Sequence, residues 1–125
     1  MTVRLRWLAL LAGFFLLMVS VGSIPGQAIA LSQRLSDKLL HALAYGFMAG
    51  VCFRALVASP AWRALATIGA IGLLGMIDEF LQSLLPYRNA SLTDWCFDIG
   101  SAITVTVLLL LFSGSTLPKK THAKN

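Results

Sequence analysis

The chain has 125 residues, 58% of them apolar and 12% charged, with a formal net charge of +5. Together with a mean hydropathy of +0.80, these values leave the range of ordinary soluble domains and point to a protein built in a bilayer. The basic residues are scattered, with no aromatic-interleaved stripe, which argues against nucleic acid as a partner.

A spanning helix needs about 20 mostly apolar residues to cross a roughly 30 Å hydrocarbon core, so the length accommodates about four spans with short loops and no separate soluble domain. The first apolar run covers about residues 5–24, follows Arg4 and Arg6, and stops at Pro25-Gly26, which break helices. Ala28-Ile29-Ala30 behind it resembles a small-residue cleavage site, so a signal peptide competes with a retained span. With no long hydrophilic stretch after it, retention is expected.

The second run, about 39–58, begins after Ser36-Asp37, either of which can cap free backbone N–H groups. Its Gly46 and Gly50 allow a neighbouring helix to approach closely. Ser59-Pro60 opens a third run of about 61–85, with proline at the first helical position. Gly69, Gly72 and Gly75 form a small-residue seam along it, and Pro86 ends it. A polar loop from Tyr87 to Thr93 leads to a fourth span of about 94–112. From residue 113 onward the tail is polar and carries Lys119, Lys120 and Lys124.

This pattern predicts an all-α integral membrane protein, a single four-transmembrane-helix bundle over residues 1–125. Lysine and arginine accumulate on the cytoplasmic side. Seven of the ten, Arg4, Arg6, Arg54, Arg63, Lys119, Lys120 and Lys124, share one side of the bundle, against Arg34, Lys38 and Arg88 on the other. The bias predicts N-in and C-in, with residues 113–125 a cytoplasmic tail. Cys52 and Cys96 then lie at depths roughly 20 Å apart by helical rise, and free thiols are expected. Trp7, Trp95 and Tyr87 read as interfacial anchors.

Under this topology all five acids, Asp37, Asp78, Glu79, Asp94 and Asp98, fall in the outer half. Intramembrane carboxylates are expensive, about 2.5 to 3.5 kcal/mol each at a helix centre, so their concentration demands a cause. Helical spacing sorts the polar groups into stripes: Asp37, His41 and Tyr45 on span two, Asp78 and Gln82 with Glu79 beside them on span three, Asp94 and Asp98 on span four. Their shared depth predicts one polar cavity.

Asp37-Lys38-Leu39-Leu40-His41-Ala42-Leu43-Ala44-Tyr45, then Asp78-Glu79-Phe80-Leu81-Gln82, then Arg88 with Ser91 and Asp94, and finally Asp98-Ile99-Gly100 resemble the VanZ-like membrane protein family. The similarity covers spans two to four. It implies a four-helix protein of the bacterial cytoplasmic membrane, from a family one member of which is associated with reduced susceptibility to the glycopeptide teicoplanin. The family usually has asparagine where this chain has Asp98, which here adds one ionisable group.

Among these residues His41 is the natural general base or ligand, since imidazole titrates near neutrality. Asp78 or Glu79 is the acid that would work with it, and their side chains point about 100° apart on the helix. Arg88 offers a planar fork for a carboxylate or phosphate at headgroup depth, or else an ion pair with Asp94 or Glu79. Ser91 and Asp94 fit a helix cap better than a nucleophile and base.

The expected site therefore has His41, Asp78 and Glu79 as catalytic candidates. Asp37, Lys38, Tyr45, Gln82, Arg88, Asp94 and Asp98 are the ligand-binding ones. His41 and the carboxylates are hard or borderline donors for a divalent cation but form no tight ligand motif, so no metal or cofactor is assigned. Three functions fit: binding or modifying a lipid or lipid-linked envelope ligand, a membrane-embedded hydrolase or transferase, and a structural assembly factor. Membrane lipids are the expected partners.

Overall fold

The computed structural model describes residues 2–26, 30 and 36–114. Most of the Ala28-Ile29-Ala30 motif, Arg34 and the tail lysines lie outside these residues. Four helices account for the described chain: α1 (Leu5–Gly22), α2 (Asp37–Ala55), α3 (Pro60–Ser83) and α4 (Leu92–Gly114). Two short strands, β1 (Thr2–Val3) and β2 (Leu56–Val57), pair antiparallel, with Thr2 opposite Val57 and Val3 opposite Leu56.

The helix ends follow local chemistry. At α1 the Ser23 N–H and hydroxyl both return to the Val19 carbonyl, and Gly26 takes a φ of +83°, a turn conformation open to glycine at no steric cost. At α2 the cap is Ser36, whose hydroxyl oxygen accepts the Leu39 N–H at 3.2 Å. Pro60 opens α3 as predicted, while Ser59 contributes no side-chain cap.

The helix ends lie within two residues of the predicted spans except at one place. α2 stops at Ala55, short of residue 58, because Leu56 and Val57 become extended to pair with β1, and the Arg4 N–H donates to the Ala55 carbonyl at 2.9 Å. Hydropathy alone carries no sign of this exchange of a last helical turn for an interstrand contact.

Three helices, α1, α3 and α4, are long and apolar enough to cross a membrane. The bundle is organised around the fourth. α2 packs against each of α1, α3 and α4, and α3 packs against α4. Nine α2 residues are buried, against Leu11 alone in α1. His41 and Tyr45 of α2 are thus sheltered by its neighbours, whereas the other helices turn many large apolar side chains outward, among them Leu16, Leu17, Leu73, Phe80, Leu111 and Phe112. Tyr45, Met48, Ala49, Cys52 and Ile71 form the centre of the core, with Ala102 from α4.

Glycines set the interhelical distances. A Cβ on Gly46 or Gly50 would meet Val105 at 3.5 and 3.8 Å, and one on Gly72 would meet Ile99 at 3.6 Å. Gly69, the third member of the α3 seam, faces open space.

The described helices alternate in direction, so that basic and acidic side chains sort to opposite ends of them. Arg4, Arg54 and Arg63 gather where β1 meets β2, and the Arg63 guanidinium donates to the Phe53 carbonyl through Nε (3.2 Å) and Nη2 (2.8 Å). It also lies 4.0 Å from the Phe53 ring centre. The five acids occupy the opposite half. Cys52 is buried, Cys96 is exposed, and both are free thiols.

Candidate functional site

The acidic half begins with the α2 stripe. His41 and Tyr45, one turn apart, stack their rings with centroids 5.8 Å apart and 7° between planes. Each then reaches a carboxylate on a different helix. His41 Nδ1 lies 2.9 Å from Asp98 Oδ1 on α4, and the Tyr45 hydroxyl donates to Asp78 Oδ2 on α3 at 3.1 Å. Tyr45 and Asp98 are wholly buried, at 0% exposure. Two rungs therefore tie α2 to both of its polar neighbours.

Glu79 is buried as well, and it turns toward the start of α4 instead of a cation: the Ser91 N–H donates to Glu79 Oε2 at 2.5 Å. Ser91 in turn caps α4, its hydroxyl oxygen accepting the Asp94 N–H at 3.3 Å. Adjacent residues on α3 thus serve two directions, Asp78 toward α2 and Glu79 toward the α4 cap, as their 100° separation requires.

Arg88 pairs with neither Asp94 nor Glu79. Its Nη2 donates to Gln82 Oε1 at 2.7 Å, which holds the guanidinium over the α3 end. Lys38 is exposed, with its ammonium 5.9 Å from the Phe97 ring, and so stands at the rim. Tyr87 donates its hydroxyl to the Ser23 carbonyl, joining the α3–α4 loop to the end of α1.

A cavity of about 280 Å³ opens between α1, α2 and α3. One wall is apolar, formed chiefly by Phe14, Leu17, Met18 and Val21 of α1. Asp37, His41, Asp78, Gln82 and Arg88 supply the polar wall. Of the ten predicted site residues, these five line the cavity. Tyr45, Glu79, Asp94 and Asp98 lie behind it, and Lys38 lies outside.

Two features escaped the sequence reading. Gly75 lies against Asp98: a Cβ there would sit 2.7 Å from Asp98 Oδ2, so only glycine lets the carboxylate lie flat on α3. Trp95 is more than an interfacial anchor, since its indole N–H donates to the Gly72 carbonyl at 2.9 Å and fastens α4 to α3 beside the site. The glycine seam was the available signal for both, but a small residue in a sequence does not name what approaches it.

Chemically, a carboxylate on Nδ1 fixes the ring orientation and tautomer of an imidazole, as in sites where histidine acts as base or ligand. The sequence reading paired His41 with Asp78 or Glu79, whereas the hydrogen bond goes to Asp98. His41, Glu79 and Asp98 each offer a ligand atom within 4.8 Å of the others, and the same holds for Asp37, His41 and Asp94. Compared with protein-family models, curated proteins and solved structures, the chain matches none.

Proposed function

We propose that this protein holds a lipid or lipid-linked envelope ligand in the cavity, with the polar part against Asp37, His41, Gln82 and Arg88 and an apolar chain along α1. The observation that carries this reading is the division of one cavity into an apolar α1 wall and a polar wall. Amphiphiles match such a division, because each half of the ligand then finds a solvent resembling its own.

In this reading α2 is a fourth span, the chain runs N-in and C-in across a bacterial cytoplasmic membrane, and the cavity opens in the outer leaflet. The skew of basic residues supports that orientation. The VanZ-like resemblance adds teicoplanin susceptibility as the first cellular phenotype to assay.

Native mass spectrometry of protein extracted from membranes tests the reading directly. A co-purified lipid is expected on the wild type, with reduced occupancy in Ala44→Leu, which fills the cavity, and in Arg88→Ala, which strips its polar wall. A wild type that carries no lipid, or occupancy indifferent to both substitutions, would sink it.

The His41–Asp98 contact favours a second reading, a membrane-embedded hydrolase or transferase with His41 as general base and Asp98 as the group that orients it. Asp98→Asn then lowers turnover of the bound lipid while leaving its occupancy intact. A purely structural network behaves differently. Breaking one buried charge pair costs about 3 to 5 kcal/mol, enough to deplete a small bundle, so the variants would fall in membrane abundance.

A further inference from the structure

The polar residues behind the cavity pose a separate problem. Among the described residues the one ion pair is His41 with Asp98, and no lysine or arginine neutralises Asp78, Glu79, Asp94 or Asp98. Two carboxylate oxygens, Glu79 Oε1 and Asp98 Oδ2, are buried with no hydrogen-bond partner, on side chains that are 9% and 0% exposed. Buried carboxylates normally pair with a cation or coordinate one, and an orphaned oxygen costs the full desolvation of a polar atom.

From this geometry we propose that His41, Glu79 and Asp98 bind one first-row divalent cation, of the Zn2+ or Mn2+ type, between α2, α3 and α4. The three residues place ligand atoms within 4.8 Å of one another, and the 2.9 Å between His41 Nδ1 and Asp98 Oδ1 is close to the roughly 3.0 Å between adjacent ligands of a six-coordinate ion with bonds of about 2.1 Å, and shorter than the roughly 3.4 Å of a tetrahedral one. The ion takes the place of the proton shared by His41 and Asp98, which leaves to solvent. One imidazole with two carboxylates is a borderline donor set, suited to Zn2+ or Mn2+ and poorly suited to Ca2+. Its charge offsets Glu79 and Asp98, neither of which has a lysine or arginine partner among the described residues. His41 is shared with the lipid cavity, whereas Glu79 and Asp98 do not line it, so the two acid ligands of the cation can be tested apart from lipid occupancy.

The test uses full-length protein in nanodiscs, purified without a histidine tag, stripped with chelator and dialysed against Zn2+. One Zn2+ per chain is expected, with affinity lowered at least about tenfold in Glu79→Gln and in Asp98→Asn. Asp94→Asn removes a carboxylate of the other triad and should leave affinity within a factor of about two.

Should a variant misfold, the wild-type site still answers. The chain has two histidines, His41 and His122. A Mn2+-loaded His122→Ala protein should show spin-echo modulation from one imidazole nitrogen. No bound Zn2+, no nitrogen modulation, or loss of binding in Asp94→Asn with Glu79→Gln unaffected would each overturn the proposal. Lipid occupancy is read separately, so failure here leaves the lipid reading standing, and the reverse holds too.

Discussion

Gly75 provides the sharpest check on how the site is assembled, because the same substitution at Gly69 on the same helix is its control. Glycine to alanine inside a helix gains about 1 kcal/mol from backbone propensity alone. At Gly69 a new Cβ meets nothing within 4 Å, so Gly69→Ala should be neutral or stabilising by up to about 1 kcal/mol. At Gly75 it would lie 2.7 Å from Asp98 Oδ2 and 3.1 Å from Trp95 Cδ1. Relief requires moving the carboxylate off His41 or parting α3 from α4. Overpacking costs about 1–3 kcal/mol and a weakened charged hydrogen bond about 1.5–3, so after the propensity gain of about 1 the net loss is roughly 1.5–5 kcal/mol. Equilibrium unfolding in mixed detergent micelles, followed by tryptophan fluorescence, measures both variants. A double-mutant cycle with Asp98→Ala should show strong non-additivity, since one clash partner has gone. The reasoning is refuted if Gly75→Ala unfolds no more readily than Gly69→Ala.

Further outcomes follow from single contacts. Tyr45→Phe removes the buried hydroxyl donor to Asp78 and should destabilise the bundle by about 1–3 kcal/mol in the same unfolding assay; an unchanged midpoint would mean that Asp78 finds another partner. Arg63→Ala strips two donors from the Phe53 carbonyl and the cation from its ring, for a loss of about 1–2 kcal/mol. Arg63→Lys should recover less than half of that, because an ammonium cannot reproduce the planar fork. For topology, a reporter active only in the cytoplasm should work when fused after Asn125, and one requiring export should work in the loop near Asn89. Opposite signals would invert the N-in, C-in orientation.

The burial of α2 bears on how its polar content is tolerated. A helix carrying Asp37, His41 and Tyr45 would face lipid at high cost, yet His41 and Tyr45 find partners on α4 and α3. The same two rungs that satisfy these groups fix the rotation of α2, since a turn of its face would break both. Packing and site geometry are therefore coupled, and variants need abundance measured beside function.

What the sequence determined by itself was whatever depends on local period and solvent preference. Runs of apolar residues between Pro25-Gly26, Ser59-Pro60 and Pro86 located the helices, because length and hydropathy decide where a backbone must satisfy its own hydrogen bonds. The spacing of Asp37, His41 and Tyr45 put them on one face, and Ser91 was legible as a cap. Partnership was not legible. His41 stands 57 positions from Asp98 and Tyr45 33 from Asp78, so which acid meets which group depends on helix rotation, and that is set by glycines whose opposing atoms belong to another helix. Nor could hydropathy reveal that Glu79 would bind a backbone N–H, that Arg88 would choose Gln82, or that α2 would yield its last turn to a strand pair. Each of these is a choice among several chemically adequate partners at similar depth, and only the packing of whole helices, set by the close approaches at Gly72, Gly75 and Val105, selects one.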